Sequence, residues 1–300
     1  MAARAAARTN SLRRNAELRR LADRGEVRAR LNAARAFTAY ARAYLDPRMY
    51  DLAEFYEARY GEKSALLMHA RGGLGPSSLA LGEPEAVSAL LRLHPGPLHT
   101  FLTCEPQHIE VVLASHNLWR PQTMLRMQVD RASFVTPPPH LAVRRLGRTD
   151  ADQLNRLYAI EGDGLRYSGR QVTQGVYFGG FVRDRLVSAA GTHIHSLAEG
   201  VGVIGNVFTH PDHRGHGLGT AVTAAVARHL LTACDLVVLN VDPANRVARH
   251  VYESLGFREA GRLLEAMATR RDGSLPLPFL RRILARWRSG KRGVELVSLA

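Results

Sequence analysis

The amino-acid sequence predicts an α/β fold built on mixed β-sheet, with two domains in one chain. The length of 300 residues suits two domains of about 130–150 residues each. In the second half, three successive strand patterns suit antiparallel hairpins, and the strand–helix–strand pattern after them needs a crossover between parallel strands. The strands are predicted at 176–183, 186–195, 202–209 and 236–242, and the helices at 217–231 and 246–255.

The first half has a similar but less regular alternation of predicted strands and helices. It begins with a predicted helix over residues 11–45, rich in alanine, arginine and leucine, which ends before Pro47. Further strands are predicted at 64–69, 78–81, 98–103 and 124–129, and helices at 83–93 and 106–115. Residues 131–140, RASFVTPPPH, end in three prolines that a helix or central strand excludes. The boundary between the two domains is therefore predicted there.

The second half opens with a strand at 141–146, after which Thr149 can cap a helix over 150–160. An irregular segment follows at 161–175, and strand 257–269 closes the domain. The predicted organisation is a basic helical extension (1–30), a first domain (31–130), a proline-rich linker (131–140), a second domain (141–271) and a basic amphipathic tail (272–300).

The positive charge is concentrated at the two ends of the chain. The net charge is +14, of which residues 1–30 carry +6 and residues 274–300 carry +5, so the long central part is nearly neutral. Contact with RNA or an anionic surface is therefore expected of the ends alone. The first 16 residues contain no acid, and a solvated basic helix is favoured there over an organellar import signal.

Cysteine content and hydropathy indicate a cytoplasmic protein. The chain has two isolated cysteines, Cys104 and Cys234, which argues against a disulfide framework and suits a reducing compartment. No run of about 18 apolar residues occurs, so no membrane span is expected. Arginine interrupts every candidate apolar core of a secretory signal. The sequence leaves the oligomeric state open, with a homodimer as one option.

A glycine-rich loop, RGHGLG, joins the strand at 202–209 to the helix at 217–231. Glycines at alternate positions let backbone N–H groups point toward one centre, and the helix N-terminus adds its own free amides and dipole. The loop therefore predicts an anion site, although a tight turn without a ligand would look similar. The residues expected to bind are Arg214, Gly215, His216, Gly217, Leu218, Gly219 and Thr220.

Two nucleotide-binding motifs do not fit this loop. A P-loop needs a glycine, then four residues of any type, then Gly-Lys-Ser/Thr, and this loop contains no lysine. A dinucleotide fingerprint spaces its glycines G-x-G-x-x-G after the first strand of the domain, whereas this loop has G-x-G-x-G after a late strand.

At these residues the sequence resembles the GNAT superfamily of acyl-CoA-dependent N-acyltransferases. The family loop, Arg/Gln-x-x-Gly-x-Gly/Ala, matches Arg214, Gly217 and Gly219. The segment GNVFTHP at 205–211 looks like the branch that includes glycine N-acyltransferase-like proteins. Asn245, Tyr252 and the sequence LGF at 255–257 match the closing helix and strand. The first half looks like the degenerate N-terminal GNAT-like domain of tandem members.

The resemblance implies an acyl-CoA site, with acetyl-CoA as the expected co-substrate. In such a fold the fourth and fifth strands diverge, and the pantetheine arm of CoA pairs with the backbone of the fourth, here Val207, Phe208 and Thr209. The backbone N–H of Val207 would stabilise the oxyanion. Asn245 caps the next helix and would contact the pantetheine arm. Tyr252, two helical turns further on, is the candidate general acid that protonates the leaving thiolate.

The general base is not specified by any spacing. Glu161, Asp163, His193 and His195 are candidates, beside a water molecule held by backbone carbonyls. Tyr167 and Arg166 would lie in the acceptor wall formed by residues 161–175.

No metal site is expected. His193 and His195 share a strand face without a nearby third ligand, and His210, His213 and His216 recur at three-residue intervals, a pattern more typical of a polar surface.

The first half has no equivalent of the RGHGLG loop, so one CoA site per chain is expected. The predicted function is transfer of an acyl group, preferentially acetyl, from acyl-CoA to the primary amine of a small molecule or amino acid in a ternary complex. The alternative is a catalytically idle CoA-binding GNAT module that serves in interactions. The tail at 279–287 is amphipathic and is expected to dock on the protein itself or to contact a membrane surface or RNA.

Overall fold

The computed structural model describes residues 15–73, 75–138, 142–161, 166–271 and 294–298. In chain order these form β1 (Asn15–Leu21), α1 (Arg24–Asn32), α2 (Ala39–Ala43), β2 (Ala53–Tyr60), β3 (Lys63–Ala70), β4 (Ser77–Gly82), α3 (Pro84–Leu93), β5 (His99–Cys104), α4 (Ile109–Leu113), β6 (His116–Val129), β7 (Val143–Arg145), α5 (Ala151–Tyr158), α6 (Gly169–Gln174), β8 (Phe178–Val182), β9 (Arg185–Ser196), β10 (Val201–Thr209), α7 (Leu218–Leu231), β11 (Leu236–Val241), α8 (Arg246–Ser254), β12 (Arg258–Arg270) and β13 (Val294–Ser298).

The described residues separate into two units. The first comprises those of Met1–Ala33, Pro47–Thr123 and Arg262–Ala300, and the second those of Ala34–Asp46 and Met124–Gly261. The units depart from the predicted domain ranges, because residues 34–46 belong to the second unit and the end of β12 belongs to the first. The predicted tail helix at 279–287 lies outside the described residues.

In the first unit the strands follow the order β13–β1–β2–β3–β4–β5. All neighbours are antiparallel except β4 and β5, which are parallel and joined by the crossover helix α3. The last strand is supplied by residues 264–269 of β12, antiparallel to β5.

The second unit repeats this order with its own elements. Strands β7, β8, β9 and β10 are antiparallel neighbours, and β10 is parallel to β11 across helix α7. The last strand is supplied by residues 125–129 of β6, antiparallel to β11. This arrangement confirms the predicted mixed α/β fold.

The closing strands correct the prediction that each half closes with its own strand. Residues 124–129 are the last strand predicted in the first half and residues 257–269 the last in the second, whereas each of them closes the sheet formed by the other half of the sequence. Both segments bury alternate apolar residues: Leu125, Met127 and Val129 in one, Leu264, Ala266 and Ala268 in the other. Such alternation specifies a strand and its buried face but not which sheet the strand joins.

The predicted helix over 11–45 is wrong for residues 15–21, which form β1. Ala16 and Leu18 are completely buried, and the strand pairs with β2 on one side and β13 on the other. Sheet pairing and the burial of alternate residues override the helix propensity of this alanine- and arginine-rich segment. The helical part is shorter and broken into α1 and α2, and β1 and α1 are integral parts of the first unit rather than an extension.

Two apolar cores cover opposite faces of the second unit's sheet. One lies under α7 and α8 and includes Val222, Val226 and Leu239, and the other lies under α5 and α6 and includes Leu154, Leu157 and Tyr177. Within the described ranges, no helix is long and apolar enough to cross a membrane.

Candidate functional site

Strands β10 and β11 pair along only part of their length. Their parallel register runs from Val201 to Ile204 and then stops. On its other side β10 shows a register shift against β9 between Gly205 and Phe208, where Asn206 has a positive φ of 53°. A bulge of this kind bends a strand, so β10 turns away from β11 beyond Ile204.

The divergence opens a cleft of about 810 Å³ in the second unit. Its lining residues come from β10, the glycine loop, the start of α7, the end of β11 and helix α8. The predicted binding residues that line it are Val207, Phe208, Thr209, Arg214, Gly215, Gly217, Leu218, Gly219, Thr220, Asn245 and Tyr252. His216 is the exception, because its ring hydrogen-bonds the carbonyl of Arg214 at 2.9 Å and so stays with the loop backbone.

The loop glycines are required by backbone geometry, and the space above them is open. Gly215 and Gly217 have φ values of 79° and 76°, which L-residues rarely adopt. A Cβ at either position would meet no atom within 4 Å, so the space above the loop is open. Gly217 is the N-cap of α7, whose first turn has no acidic residue. Free amides and the helix dipole therefore face an open cradle suited to an anion.

Arg214 lies across the mouth of the cleft. Its Nε donates to the carbonyl of Thr209 at 3.1 Å, and its guanidinium carbon lies 5.7 Å from the centroid of the Phe208 ring. The same guanidinium forms an ion pair with Glu161. Both charged side chains are more than half exposed. This pairing engages the carboxylate of Glu161, one of the candidate bases, with Arg214 at the mouth of the cleft.

Helix α8 presents Asn245 and Tyr252 to the cleft. Asn245 is the N-cap, and its Oδ1 accepts the N–H of Ala248 at 3.0 Å, as predicted for a cap. The side chain's amide N–H groups are not used by that bond. Tyr252 is 7% exposed, and burial raises its pKa to about 12. Its hydroxyl hydrogen-bonds no atom within the described ranges and remains protonated at neutral pH.

The backbone at the bulge is oriented by a tyrosine from the opposite face. The Tyr158 hydroxyl donates to the carbonyl of Asn206 at 2.6 Å. In a trans peptide the N–H of the next residue, Val207, points the opposite way. The pairing of β10 with β9 passes over Val207, and the pairing of β10 with β11 ends three residues earlier, at Ile204. Its N–H therefore points away from Tyr158, and Val207 itself lines the cleft.

A polar cluster lies beside this bulge. His193 Nε2 is 3.2 Å from Asn206 Oδ1, and His193 Nδ1 bonds the hydroxyl of Tyr40. Asn206 Nδ2 is 3.4 Å from the Tyr177 hydroxyl. The ring of Tyr167, a predicted acceptor-wall residue, lies 5.7 Å from the ring of Tyr177. His193 is thus the base candidate that the structure joins to the bulge, whereas Asp163 lies outside the described residues.

The sequence gives little signal for several of these residues. Tyr40 lies more than 150 positions from His193 in the chain, and Tyr158 sits on a helix whose pattern indicates only burial. Asn206 could have been suspected, since asparagine tolerates positive φ better than most residues. In the described part of the chain, no three His, Cys, Asp or Glu side chains cluster as metal ligands would.

The corresponding position of the first unit is filled by side chains. Gly82, at the end of β4, donates its N–H to the carboxylate of Glu105 at 3.0 Å, and its carbonyl lies 2.7 Å from His108 Nε2. Helix α3 begins with Pro84 and has Glu85 in its first turn. A missing N–H and a negative charge disfavour an anion at this position.

One protein family matches part of the second half of the chain. The FR47-like protein family matches residues 178–265. A mycothiol acetyltransferase from Thermobispora bispora is 44% identical over 87 residues, which are 26% of this chain and 30% of that relative. The chain thus matches less than a third of that relative's length.

Two solved structures match over more of the chain. A GNAT-family protein from Novosphingobium aromaticivorans is 20% identical, with a TM-score of 0.53 over 76% of this chain and 95% of that one. A Drosophila protein is 15% identical, with a TM-score of 0.57 over 83% and 98%. At these identities the likeness concerns the fold.

The strand order, the divergence of β10 and β11 and the glycine loop before α7 define the GNAT fold class. With the FR47-like match to residues 178–265, this part of the chain resembles the GNAT superfamily of N-acetyltransferases. The narrower resemblance to the glycine N-acyltransferase branch remains a prediction, since the relatives described above do not carry that name.

Proposed function

We propose that this chain transfers an acetyl group from acetyl-CoA to a primary amine of a small molecule, with both substrates bound together. The observation that carries the proposal is the convergence on one cleft of three features. These are an open anion cradle, a backbone N–H that the register of β10 with β9 passes over, and a tyrosine hydroxyl with no hydrogen bond to the residues that the structure describes. The relative described as an acetyltransferase supports acetyl as the transferred group.

The residues of the cleft suit CoA from end to end. The backbone of residues 215–220 and the N-terminus of α7 would hold the pyrophosphate, with Arg214 as the counter-charge. The backbone of residues 207–209 would pair with the amides of the pantetheine arm, because β11 no longer pairs with it there. The free amide N–H groups of Asn245 would add a side-chain contact.

The reaction chemistry falls to two groups at the inner end of the cleft. Acetyl-CoA supplies the activated thioester. The N–H of Val207 would donate to the thioester oxygen as it gains negative charge, which is the usual role of an oxyanion hole. The Tyr252 hydroxyl would protonate the sulfur, and its raised pKa keeps the proton available at neutral pH.

Calorimetry with acetyl-CoA and an assay of free thiol over a panel of primary amines test the proposal. Tyr252→Phe should bind acetyl-CoA with wild-type affinity and release thiol about 100-fold more slowly, the usual size of a general-acid contribution. Its thermal stability should be unchanged because the hydroxyl makes no hydrogen bond to any described residue. Tyr60→Phe, which removes an exposed hydroxyl bonded to Glu85 in the first unit, is the matched control and should keep wild-type activity.

Each negative result has a separate meaning. If acetyl-CoA does not bind, the assignment of the cleft is wrong. If acetyl-CoA binds but no amine yields free thiol, the chain is the idle CoA-binding module that the sequence leaves as the alternative. If Tyr252→Phe is as active as wild type, the transferase proposal stands and the role of Tyr252 is wrong.

A further inference from the structure

The second unit contains a chain of hydrogen-bonded polar side chains that the binding of CoA does not use. It runs from Tyr40 on α2 through His193 on β9 to Asn206 on β10 and ends at Tyr177. The His193 ring lies directly over Gly205, since a Cβ built on that glycine would be 2.1 Å from Nε2. The imidazole is thus two residues along β10 from Val207, whose N–H is the proposed oxyanion donor.

The hydrogen-bond directions along this chain assign the tautomer of His193. The Tyr177 hydroxyl donates to the carbonyl of Thr192 at 3.4 Å, so it accepts from the Asn206 amide group. Asn206 therefore turns its Oδ1 toward His193, and Nε2 must carry the hydrogen that this oxygen accepts. Nδ1 is then the unprotonated nitrogen, and it accepts the hydroxyl proton of Tyr40.

We propose that Tyr40 and His193 form the proton relay that deprotonates the attacking amine. This inference rests on the proposed function. The substrate ammonium gives a proton to the Tyr40 oxygen while Tyr40 passes its own proton to Nδ1 of His193. Tyr40 touches the substrate, and His193 acts through it, with Asn206 holding the ring in the productive tautomer.

The electrostatics of the cluster suit a transient proton acceptor. Protein atoms crowd the His193 ring, although part of it reaches solvent, and this desolvation is the largest cause of a pKa below the usual 6.5; the positive charge of Arg126 lowers the pKa further. The groups that face the ring are Arg126 from β6, Tyr40 from α2, Asn206 from β10 and, through that asparagine, Tyr177. The ring is therefore neutral at pH 7. Arg126, 1% exposed and 5.3 Å from the Tyr40 ring centroid, repels the imidazolium so that the proton passes on to solvent.

The protons and bonds balance without another reactant. The first proton leaves the ammonium through Tyr40 and His193 to water. The amine then forms the C–N bond, and the C–S bond breaks. Tyr252 delivers its proton to the sulfur, and the second proton, which leaves the acylated nitrogen, restores the Tyr252 hydroxyl. The products are an amide, free thiol and one released proton.

The test compares the pH dependence of thiol release, once an amine substrate is found, for wild type, Tyr40→Phe and His193→Asn. At pH 7 both variants should lose about 100-fold in kcat/KM for the amine, with the KM for acetyl-CoA unchanged. The loss should shrink as pH approaches the pKa of the amine in solution, because free amine then needs no base. It should also be smaller for an amine of low pKa. His99→Asn, an exposed histidine bonded to Thr269 in the first unit, should behave as wild type.

Several outcomes separate the relay from the function itself. A wild-type enzyme that releases thiol and a Tyr40→Phe variant with the same rate and pH profile would overturn the relay and leave the transferase proposal intact. An equal loss at every pH and for every amine would also overturn it, since that pattern reports distortion of the site. Wild-type protein that binds acetyl-CoA but acylates no amine overturns both. Tyr40→Phe removes one oxygen atom from a half-buried side chain, and we expect this variant to fold. It therefore tests the relay even if His193→Asn does not fold.

Discussion

The hydroxyl of Tyr158 donates a 2.6 Å hydrogen bond to the backbone carbonyl of Asn206. Because that carbonyl and the N–H of Val207 belong to one planar peptide, a side chain on α5 sets the direction of a backbone donor on the other side of β10. Asn206 holds a positive φ of 53°, a conformation that costs free energy and persists where the surroundings enforce it. Tyr158 is thus a positioning residue for the proposed oxyanion donor.

Tyr158→Phe should reduce kcat about tenfold while leaving the affinity for acetyl-CoA nearly unchanged. The N–H of Val207 remains present but is no longer held in one orientation, and small errors in orientation lower the rate. Steady-state kinetics together with calorimetry measure both quantities. Tyr50→Phe is the control, because it also removes a hydroxyl bonded to a backbone carbonyl, that of Ala22 at 2.9 Å. An equal loss of kcat in both variants would contradict the prediction.

Gly217→Ala should weaken acetyl-CoA binding by tenfold or more. The substitution forces an L-residue to a φ of 76°, which costs about 1 kcal/mol of backbone strain. The added Cβ also projects into the open cradle above the loop, where it would clash with the pyrophosphate. Gly61→Ala is the matched control, since Gly61 has a φ of 55° and equally open surroundings in the first unit. Both should lose similar stability on denaturant unfolding, and Gly61→Ala should bind acetyl-CoA normally.

Substitution of Asn245 should separate its two roles. Asn245→Ser retains an oxygen that can cap α8, so stability should change by less than about 0.5 kcal/mol while the KM for acetyl-CoA rises several-fold. Asn245→Ala removes the cap as well and should cost about 1 kcal/mol of stability. The prediction is contradicted if the serine variant has wild-type KM, which would leave Asn245 with a capping role only.

Glu161→Gln should strengthen acetyl-CoA binding by about two- to fivefold at low salt. The carboxylate pairs with Arg214 at the mouth of the cleft and competes with the phosphate groups for the guanidinium. The gain should fall as salt is raised, because exposed charges are screened. Glu253→Gln removes a carboxylate that pairs with Arg249 outside the cleft lining, and binding should be unaffected. No gain at low ionic strength would contradict the competition.

Acid should destabilise the first unit through His69. This side chain is 2% exposed, lies 2.8 Å from Ser78 Oγ and 2.7 Å from the carbonyl of His94, and desolvation lowers its pKa to about 4. The folded state holds the ring neutral, whereas the unfolded chain takes up a proton near pH 6.5. Stability is therefore complete above pH 6.5 and falls as pH drops toward 4, by an amount on the order of 3 kcal/mol.

Urea unfolding at pH 7.5, 6 and 5 measures this loss. His69→Gln should be less stable than wild type at pH 7.5, and its stability should vary less over the same interval. If the two proteins lose equal stability between pH 7.5 and 5, His69 is not the source of the acid sensitivity.

The sequence alone was sufficient for local features of the second half. Residues 214–219 combine the glycines that φ requires with the start of an amphipathic helix, so both the loop and α7 could be predicted. Asn245 and Tyr252 are two helical turns apart, and their common face follows from helix geometry. The motif order that indicates the GNAT superfamily is likewise contained in the linear sequence.

Tertiary structure decided what depends on partners distant in the chain. Periodicity marks the segments at 125–129 and 264–269 as strands. The local pattern does not encode which of the two sheets each of these closing strands joins. Sheet pairing turned residues 15–21 from a helical composition into β1. The bonds of Tyr40 with His193 and of Tyr158 with Asn206 join residues far apart in sequence, and only the folded backbone brings them to the bulge of β10.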